Sequence, residues 1–242
     1  CTKNNMNIVI IGATSGIGKA LFEKYANGEN KIGIIGRRAY LLEDLHQKYP
    51  SKTISEKADI TNLEEIKKVI NSLHDVLCHI DLAIVCSGIG DINATLDYDV
   101  ECPIIDTNVV GWTFCINTLY HIFEQQDNGH LVAITSAGGL RGEPMAPAYS
   151  ATKSYQINYM EALRKKAFKN GGHIIITDIR PGLVDTAMAK GEGLFWVMPV
   201  EKVARQIVVA IRKRKSVVYV TKRWYFIAII NRFIPYCLYK RI

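Results

Sequence analysis

The sequence predicts an α/β fold, a three-layer doubly wound parallel sheet of about seven strands in a single domain. Three observations lead there. Short β-branched runs alternate with longer helical patterns from residue 7 to residue 220, the mark of repeated βαβ units. The run IDLAIVC (80–86) is apolar almost throughout, as a strand covered on both faces must be. The chain's 242 residues, 48% hydrophobic and 22% charged, contain no repeat and no Pro/Gly/Ser-rich linker, enough for one full core.

The elements follow in order. NIVII (7–11) reads as a strand and GIGKALFEKYA (16–26) as its helix. KIGIIG (31–36) is the next strand, followed by helix AYLLEDLHQKY (39–49). KTISEK (52–57) is a short strand before NLEEIKKVINSLHDVL (62–77), whose Leu63, Ile66, Ile70, Leu73 and Leu77 fall at helical spacing. After strand 80–86 come a long helix near 99–125, strand HLVAITS (130–136), helix 149–169, strand HIIITDI (173–179), helix 200–213 and strand SVVYV (216–220). Parallel neighbours need crossovers, and right-handed crossovers place helices on both faces. Ligands are expected beyond the carboxyl ends of the strands.

Charge divides the chain in two. The formal net charge is +7, yet residues 212–242 hold nine Lys or Arg and no Asp or Glu. The remainder has 21 basic against 23 acidic residues and is near −2, which argues against a nucleic-acid-binding body. We therefore read 1–221 as the domain and 222–242 as a basic, aromatic tail. The six cysteines show no CxxC pair or other metal-ligand spacing, so no metal is expected. There is no N-terminal signal pattern, and a reducing cytoplasm is the expected compartment.

GATSGIG follows the first strand, with Gly12, Gly16 and Gly18. Gly12 permits the sharp turn, Gly16 lets backbone approach a phosphate, and Gly18 lets the helix lie close on the sheet. The helix N-terminus offers N–H groups and a positive dipole end to a pyrophosphate. A tight turn without ligand would show the same glycines, but a strand before and a helix after favour a dinucleotide. The second strand ends IIGRR. Arg37 and Arg38 stand where an NAD site usually has an acid, and a guanidinium matches a 2′-phosphate, so NADP(H) is preferred over NAD. Two solvated loop arginines are the bland alternative.

ITSAGGLRGEPMAPAYSATK places Ser136 at a strand end, Tyr149 further on and Lys153 one helical turn beyond. Tyr149 and Lys153 share a helix face, and Ile157 and Met160 extend it inward. An inward lysine needs a task.

With these residues in view the chain resembles the short-chain dehydrogenase/reductases of the short, single-domain branch. Gly12-x-x-x-Gly16-x-Gly18, Asp59-Ile60, Asn108, Ser136, Tyr149-x-x-x-Lys153 and RPGLVDT (180–186) match that family's motifs in order, over about residues 7–220. The resemblance implies a Rossmann fold that transfers a hydride between nicotinamide and a carbonyl or secondary alcohol. Tyr149 would be the proton donor in reduction, Ser136 would bond the substrate oxygen, and Lys153 would bind the nicotinamide ribose and lower the tyrosine pKa. Asn108 would hold a helix kink and a water leading to Lys153. By the same resemblance Thr14, Ser15 and Ile17 join the glycines around the cofactor, Asp59 and Ile60 meet the adenine, Cys86, Ser87 and Gly88 line its path, and Pro181, Gly182, Val184 and Thr186 flank the nicotinamide. A homodimer or homotetramer is implied too.

The chemistry of these side chains agrees. A free tyrosine titrates near pH 10, so neutral operation asks for about three units, or roughly 4 kcal/mol. A cation about 4 Å away at an effective dielectric of about 20 supplies that much, with burial opposing it. Three positions depart from the family pattern: Cys86 and Ser87 replace the usual Asn-Ala before Gly88, and Ile11 replaces a Thr. A thiol donates poorly, so contacts near the adenine ribose are expected to be weaker or rerouted.

Between Thr186 and residue 200 the family keeps a lid. Gly191 and Gly193 are candidate hinges, and Phe195, Trp196, Val197 and Met198 point to an apolar substrate. In the tail the apolar run Trp224–Ile230 is far short of the ~20 residues that span a bilayer. Two readings stay open there: a lid or subunit interface over the substrate mouth, or peripheral contact with an anionic membrane surface. For the whole protein the alternative to an enzyme is a non-catalytic dinucleotide-binding regulatory or membrane-docking protein on the same fold.

Overall fold

The computed structural model describes residues 5–187 and 196–241. Its strands are β1 (Asn7–Ile11), β2 (Lys31–Gly36), β3 (Thr53–Lys57), β4 (Leu82–Val85), β5 (Gly129–Ile134), β6 (Ile174–Pro181) and β7 (Val217–Val220). The helices are α1 (Gly16–Ala26), α2 (Ala39–Lys48), α3 (Leu63–Leu77), α4 (Tyr98–Ile105), α5 (Trp112–Gln126), α6 (Pro147–Lys169), α7 (Val200–Arg212), α8 (Lys222–Phe233) and α9 (Tyr236–Tyr239). Among the described residues the sheet has seven strands in the order β3-β2-β1-β4-β5-β6-β7, and every pairing is parallel. The doubly wound expectation is met.

Alternation along the strands builds two cores, because successive side chains point to opposite faces. Ile8 and Ile10 of β1 join Phe22 of α1, Leu42 of α2 and Ile207 of α7. Val9 and Ile11 join Ile70 of α3, Ile116 of α5 and Met160 of α6 on the other face. Each large apolar side chain buried this way contributes roughly 1.5–3 kcal/mol. At the start of α3 the Asn62 side chain accepts from the Glu65 N–H at 3.2 Å, with Glu64 and Glu65 in the positive first turn.

Three boundaries differ from the sequence reading. The long helix expected near 99–125 is broken by a π turn, Asp106–Gly111, between α4 and α5. Pro103 lies just upstream in α4, where it removes a helical donor. The helix carrying Tyr149 begins two residues earlier, at Pro147. Pro is pre-shaped for that first position, whose N–H would lack a helical partner anyway. Residues read only as a tail form α8 and α9.

The order reverses direction between β1 and β4. Chains leaving the carboxyl ends of these two strands diverge there, and a crevice opens between them.

Candidate active site

That crevice is a cavity of about 1000 Å³ at the carboxyl edge of the sheet. All nineteen residues expected from the sequence to hold cofactor, Tyr149 and Lys153 among them, line it, and so does Ser136. Asn108 is fully buried behind the wall.

The glycine loop is shaped as a cradle. Gly12 has φ +88°, and a Cβ there would come within 2.7 Å of the Ser87 backbone nitrogen. A Cβ on Gly18 would sit 2.1 Å from the Gly12 carbonyl oxygen, so α1 could not lie this close with any larger residue. At the loop's rim the Arg38 Nη2 donates to the hydroxyls of Thr14 (2.9 Å) and Ser15 (2.8 Å). Arg37 pairs with Asp59 at 3.6 Å in an exposed contact. Burial works against the Asp59 charge, but bonds from Thr61 and the nearby Arg37 outweigh it and hold the carboxyl below its usual range.

The expected catalytic residues come from three elements. Ser136 lies two residues beyond β5, where its Oγ accepts from the Gly138 N–H at 3.0 Å. Its side chain is near enough to Tyr149 to favour the phenol's ionised form. Tyr149 and Lys153 project from one face of α6, with the Lys153 Nζ 5.9 Å from the centre of the phenol ring. Glycine permits close packing here as well: a Cβ on Gly139 would meet the Lys153 backbone at 2.5 Å.

Titration differs from the sequence expectation for the phenol. Burial is the larger effect and raises Tyr149 above its ordinary value, with Ser136 opposing. Burial also pushes Lys153 down to about 8, while Asp178 and Cys86 pull it upward. The sequence estimate placed a full cation about 4 Å away and undercounted desolvation, which penalises a charge on either group.

Asn108 ties the crevice wall together. Its Oδ1 accepts from the Ile89 N–H at 2.9 Å, and its Nδ2 donates to the Ile89 carbonyl (2.8 Å) and Thr152 Oγ1 (3.1 Å). Its backbone carbonyl accepts from Gln156 Nε2 at 2.8 Å, and Gln156 Oε1 accepts from Lys153 Nζ at 2.9 Å. The Gln156 side chain thus bridges Asn108 and Lys153. Sequence reading missed Gln156, having drawn the inward stripe through Ile157. Gln156 is fully buried, whereas Ile157 is half-buried. A polar residue at i+3 from an inward lysine was the available signal.

A buried charge pair was also missed. Asp178 and Arg180 of β6 meet at 2.7 Å, with Thr135 donating to Asp178 at 2.6 Å and Arg180 donating to Tyr219 at 2.8 Å. Opposite charges two apart on a strand share a face, which the apolar reading of HIIITDI passed over.

The C-terminal segment closes one end of the crevice. Trp224 and Ile227 of α8 line the cavity, and Trp224 lies so close over Gly182 that a Cβ there would overlap its ring. Arg141 donates to the Ile234 carbonyl and stacks 4.8 Å over the Tyr239 ring, while the Tyr239 hydroxyl donates to the Gly142 carbonyl at 2.8 Å. Of the lid residues read from sequence, Gly191, Gly193 and Phe195 lie outside the described residues. Trp196 is present, with the Arg223 guanidinium 5.6 Å over its ring.

The profile of the family described as short chain dehydrogenase matches residues 6–194. The chain belongs to the short chain dehydrogenase family. It is 32% identical over 190 residues to an uncharacterized oxidoreductase of Staphylococcus haemolyticus, covering 77% of this chain and 81% of that protein. An uncharacterized oxidoreductase of Staphylococcus epidermidis is 29% identical over 187 residues, with 76% and 80% covered. Among solved structures, a short chain dehydrogenase from Burkholderia cenocepacia in complex with NADP superposes with a TM-score of 0.85 at 18% identity, covering 98% of this chain and 97% of that one. A short chain dehydrogenase/reductase from Burkholderia phymatum in complex with NAD gives 0.84 at 18% identity, with 93% and 92% covered. These likenesses establish a shared fold, and the two ligands leave the choice of nicotinamide cofactor to the residues of this chain.

Proposed function

We propose that this short chain dehydrogenase is an NADP(H)-dependent reductase of apolar carbonyl compounds, and oxidises the corresponding secondary alcohols, with Tyr149 as acid and base. The observation that carries the reading is that Ser136, Tyr149 and Lys153 line the same cavity as the glycine cradle. Gly12, Gly16 and Gly18 would receive the pyrophosphate, Arg37 and Arg38 the 2′-phosphate, and Lys153 the nicotinamide ribose. When bound, the dinucleotide supplies or accepts the hydride. Ser136 orients the substrate oxygen, and Tyr149 gives it a proton as charge develops there. A phenol raised by burial is neutral near pH 7, which suits donation; the reverse reaction needs the phenolate and is favoured by alkali. Steady NADPH consumption with a panel of long-chain and aromatic ketones tests the reading, and no turnover across such a panel would refute it.

The pH profile follows from Lys153. Its amine, lowered to about 8, is charged below that pH and neutral above it. Reduction is therefore expected to hold steady at neutral pH and to decline through about pH 8, as the cation beside the phenol and ribose is lost. A rate constant that stays level into the ordinary lysine range would contradict this.

The outer surface of α8 and α9 supports peripheral docking on an anionic membrane. Phe226, Ile230, Phe233, Tyr236 and Leu238 are each at least 54% exposed, Arg223, Lys240 and Arg241 are exposed beside them, and no acidic residue follows Glu201. Apolar side chains ringed by cations complement anionic headgroups. Among the described residues no helix is long and apolar enough to cross a membrane. Because Trp224 and Ile227 of α8 also line the cavity, a substrate held in the bilayer would reach the site along this helix. The full chain should pellet with phosphatidylglycerol vesicles and not with phosphatidylcholine vesicles. Phe226→Ser with Phe233→Ser should weaken this by about tenfold or more. Concentration-dependent self-association without vesicle binding would assign the surface to a subunit interface instead, in line with the dimer or tetramer inferred from the family.

A further inference from the structure

We propose that Gln156 is a positioning residue for the reaction, its carboxamide clamping the Lys153 ammonium to the backbone carbonyl of Asn108 in the π turn. The inference rests on the oxidoreductase reading above and adds to it a residue outside the Asn, Ser, Tyr and Lys motif.

The geometry is specific. A lysine ammonium has three donors and no acceptor. Here one goes to the Ile134 carbonyl at 3.3 Å and a second, shorter one to Gln156 Oε1 at 2.9 Å. The opposite end of the same amide, Nε2, donates to the Asn108 carbonyl at 2.8 Å. Orientation of the amide is thereby determined, since reversing it would set donor against donor at Lys153 and acceptor against acceptor at Asn108. Both Gln156 and Asn108 are 0% exposed, so neither bond competes with bulk water. The π turn supplies the carbonyl: wider turns of this kind interrupt regular helical bonding and recur at functional sites. Packing alone would be served by an apolar side chain, and a buried amide persists only when both ends are bonded.

The consequence concerns where the ammonium stands and how firmly it holds its proton. Lys153 faces Tyr149 on its own helix, Asp178 on β6 and Cys86 beyond β4. Asp178 is bonded to Arg180 and Thr135, and it and Cys86 favour the ammonium's charge without a hydrogen bond to it among the described residues. Of the two acceptors that do bond the ammonium, the Gln156 oxygen is the closer. Asn108 in turn is anchored to Ile89 and Thr152, so the clamp transmits the rigidity of the crevice wall to Lys153.

Two substitutions with opposite effects test this. Gln156→Leu keeps the volume and removes the acceptor, and should move the alkaline limb of the pH–kcat profile downward by about one pH unit. Gln156→Glu sets a carboxylate against the ammonium and should move the same limb upward by a similar amount. A residue that only packs would shift neither, or both in the same sense. Thermal melting shows whether each variant is folded; if the leucine form is not, the upward shift in the glutamate form decides alone. Carbon NMR of the Lys153 ε-methylene follows the same titration without turnover. It thereby separates the clamp from the acid assignment, which stands or falls with Tyr149→Phe. Folded variants whose Lys153 titrates as in the unaltered protein would overturn the proposal.

Discussion

Tyr149→Phe is expected to lower kcat for carbonyl reduction by about 10²–10⁴-fold, the usual worth of a positioned general acid. The dissociation constant for NADPH should stay within about threefold, because on the proposed reading the glycine loop and the arginines, not Tyr149, would carry the phosphate recognition. The ring survives the change: a Cβ at Gly90 would lie 2.5 Å from it, so the phenyl group still fills its slot between that loop and α6. Only the hydroxyl is lost, and with it the influence of Ser136 on it. Single-turnover kinetics with cofactor titrated by fluorescence separate the two quantities. Retained turnover would remove Tyr149 from the acid role, and a matching loss of cofactor affinity would reassign it to binding.

Replacing both Arg37 and Arg38 by alanine is the second large effect. Charge-assisted bonds are worth roughly 1.5–3 kcal/mol, and about 1.4 kcal/mol is tenfold in affinity. NADPH binding should weaken by about 10–100-fold and NADH binding by about threefold or less. Arg38 is the stronger candidate of the two: its Nη2 is held by Thr14 and Ser15 at the loop rim, whereas Arg37 makes a longer, exposed pair with Asp59. Single variants should therefore rank Arg38 above Arg37. Equal losses for both cofactors would mean that the arginines support the loop rather than read a 2′-phosphate.

Much of this site was legible because its contacts are local or tied to a motif. Gly12, Gly16 and Gly18 are spaced by the geometry of one strand–turn–helix, and Tyr149 and Lys153 by one helical turn, so periodicity alone places them. Gln156 was not legible in the same way. Its partners are three residues away on one side and forty-eight on the other, and the second distance closes only when α6 packs against the π turn. The π turn lies inside a segment whose periodicity reads as one helix, and only the resemblance, through Asn108, implied a kink there. Asp178 and Arg180 were hidden by the strand pattern around them, since their worth depends on Thr135 and Tyr219 from neighbouring strands.

The tail shows the same division. Its charge, aromatic content and short apolar run are properties of composition, and they limited it to a lid, an interface or a membrane surface. Which side chains turn inward was a matter of packing: Trp224 and Ile227 face the cavity, and Phe226 and Phe233 face out.

By itself the sequence determined the doubly wound sheet, the glycine turn and the shared face of Tyr149 and Lys153, because strand alternation, helical spacing and glycine freedom act over a few residues; Ser136 joined them through the resemblance to the family. Only the tertiary structure decided how Lys153 is held, how far burial moves it and Tyr149, and what closes the crevice. Desolvation and long-range hydrogen bonds come into being when distant segments meet, and no spacing along the chain encodes their magnitude.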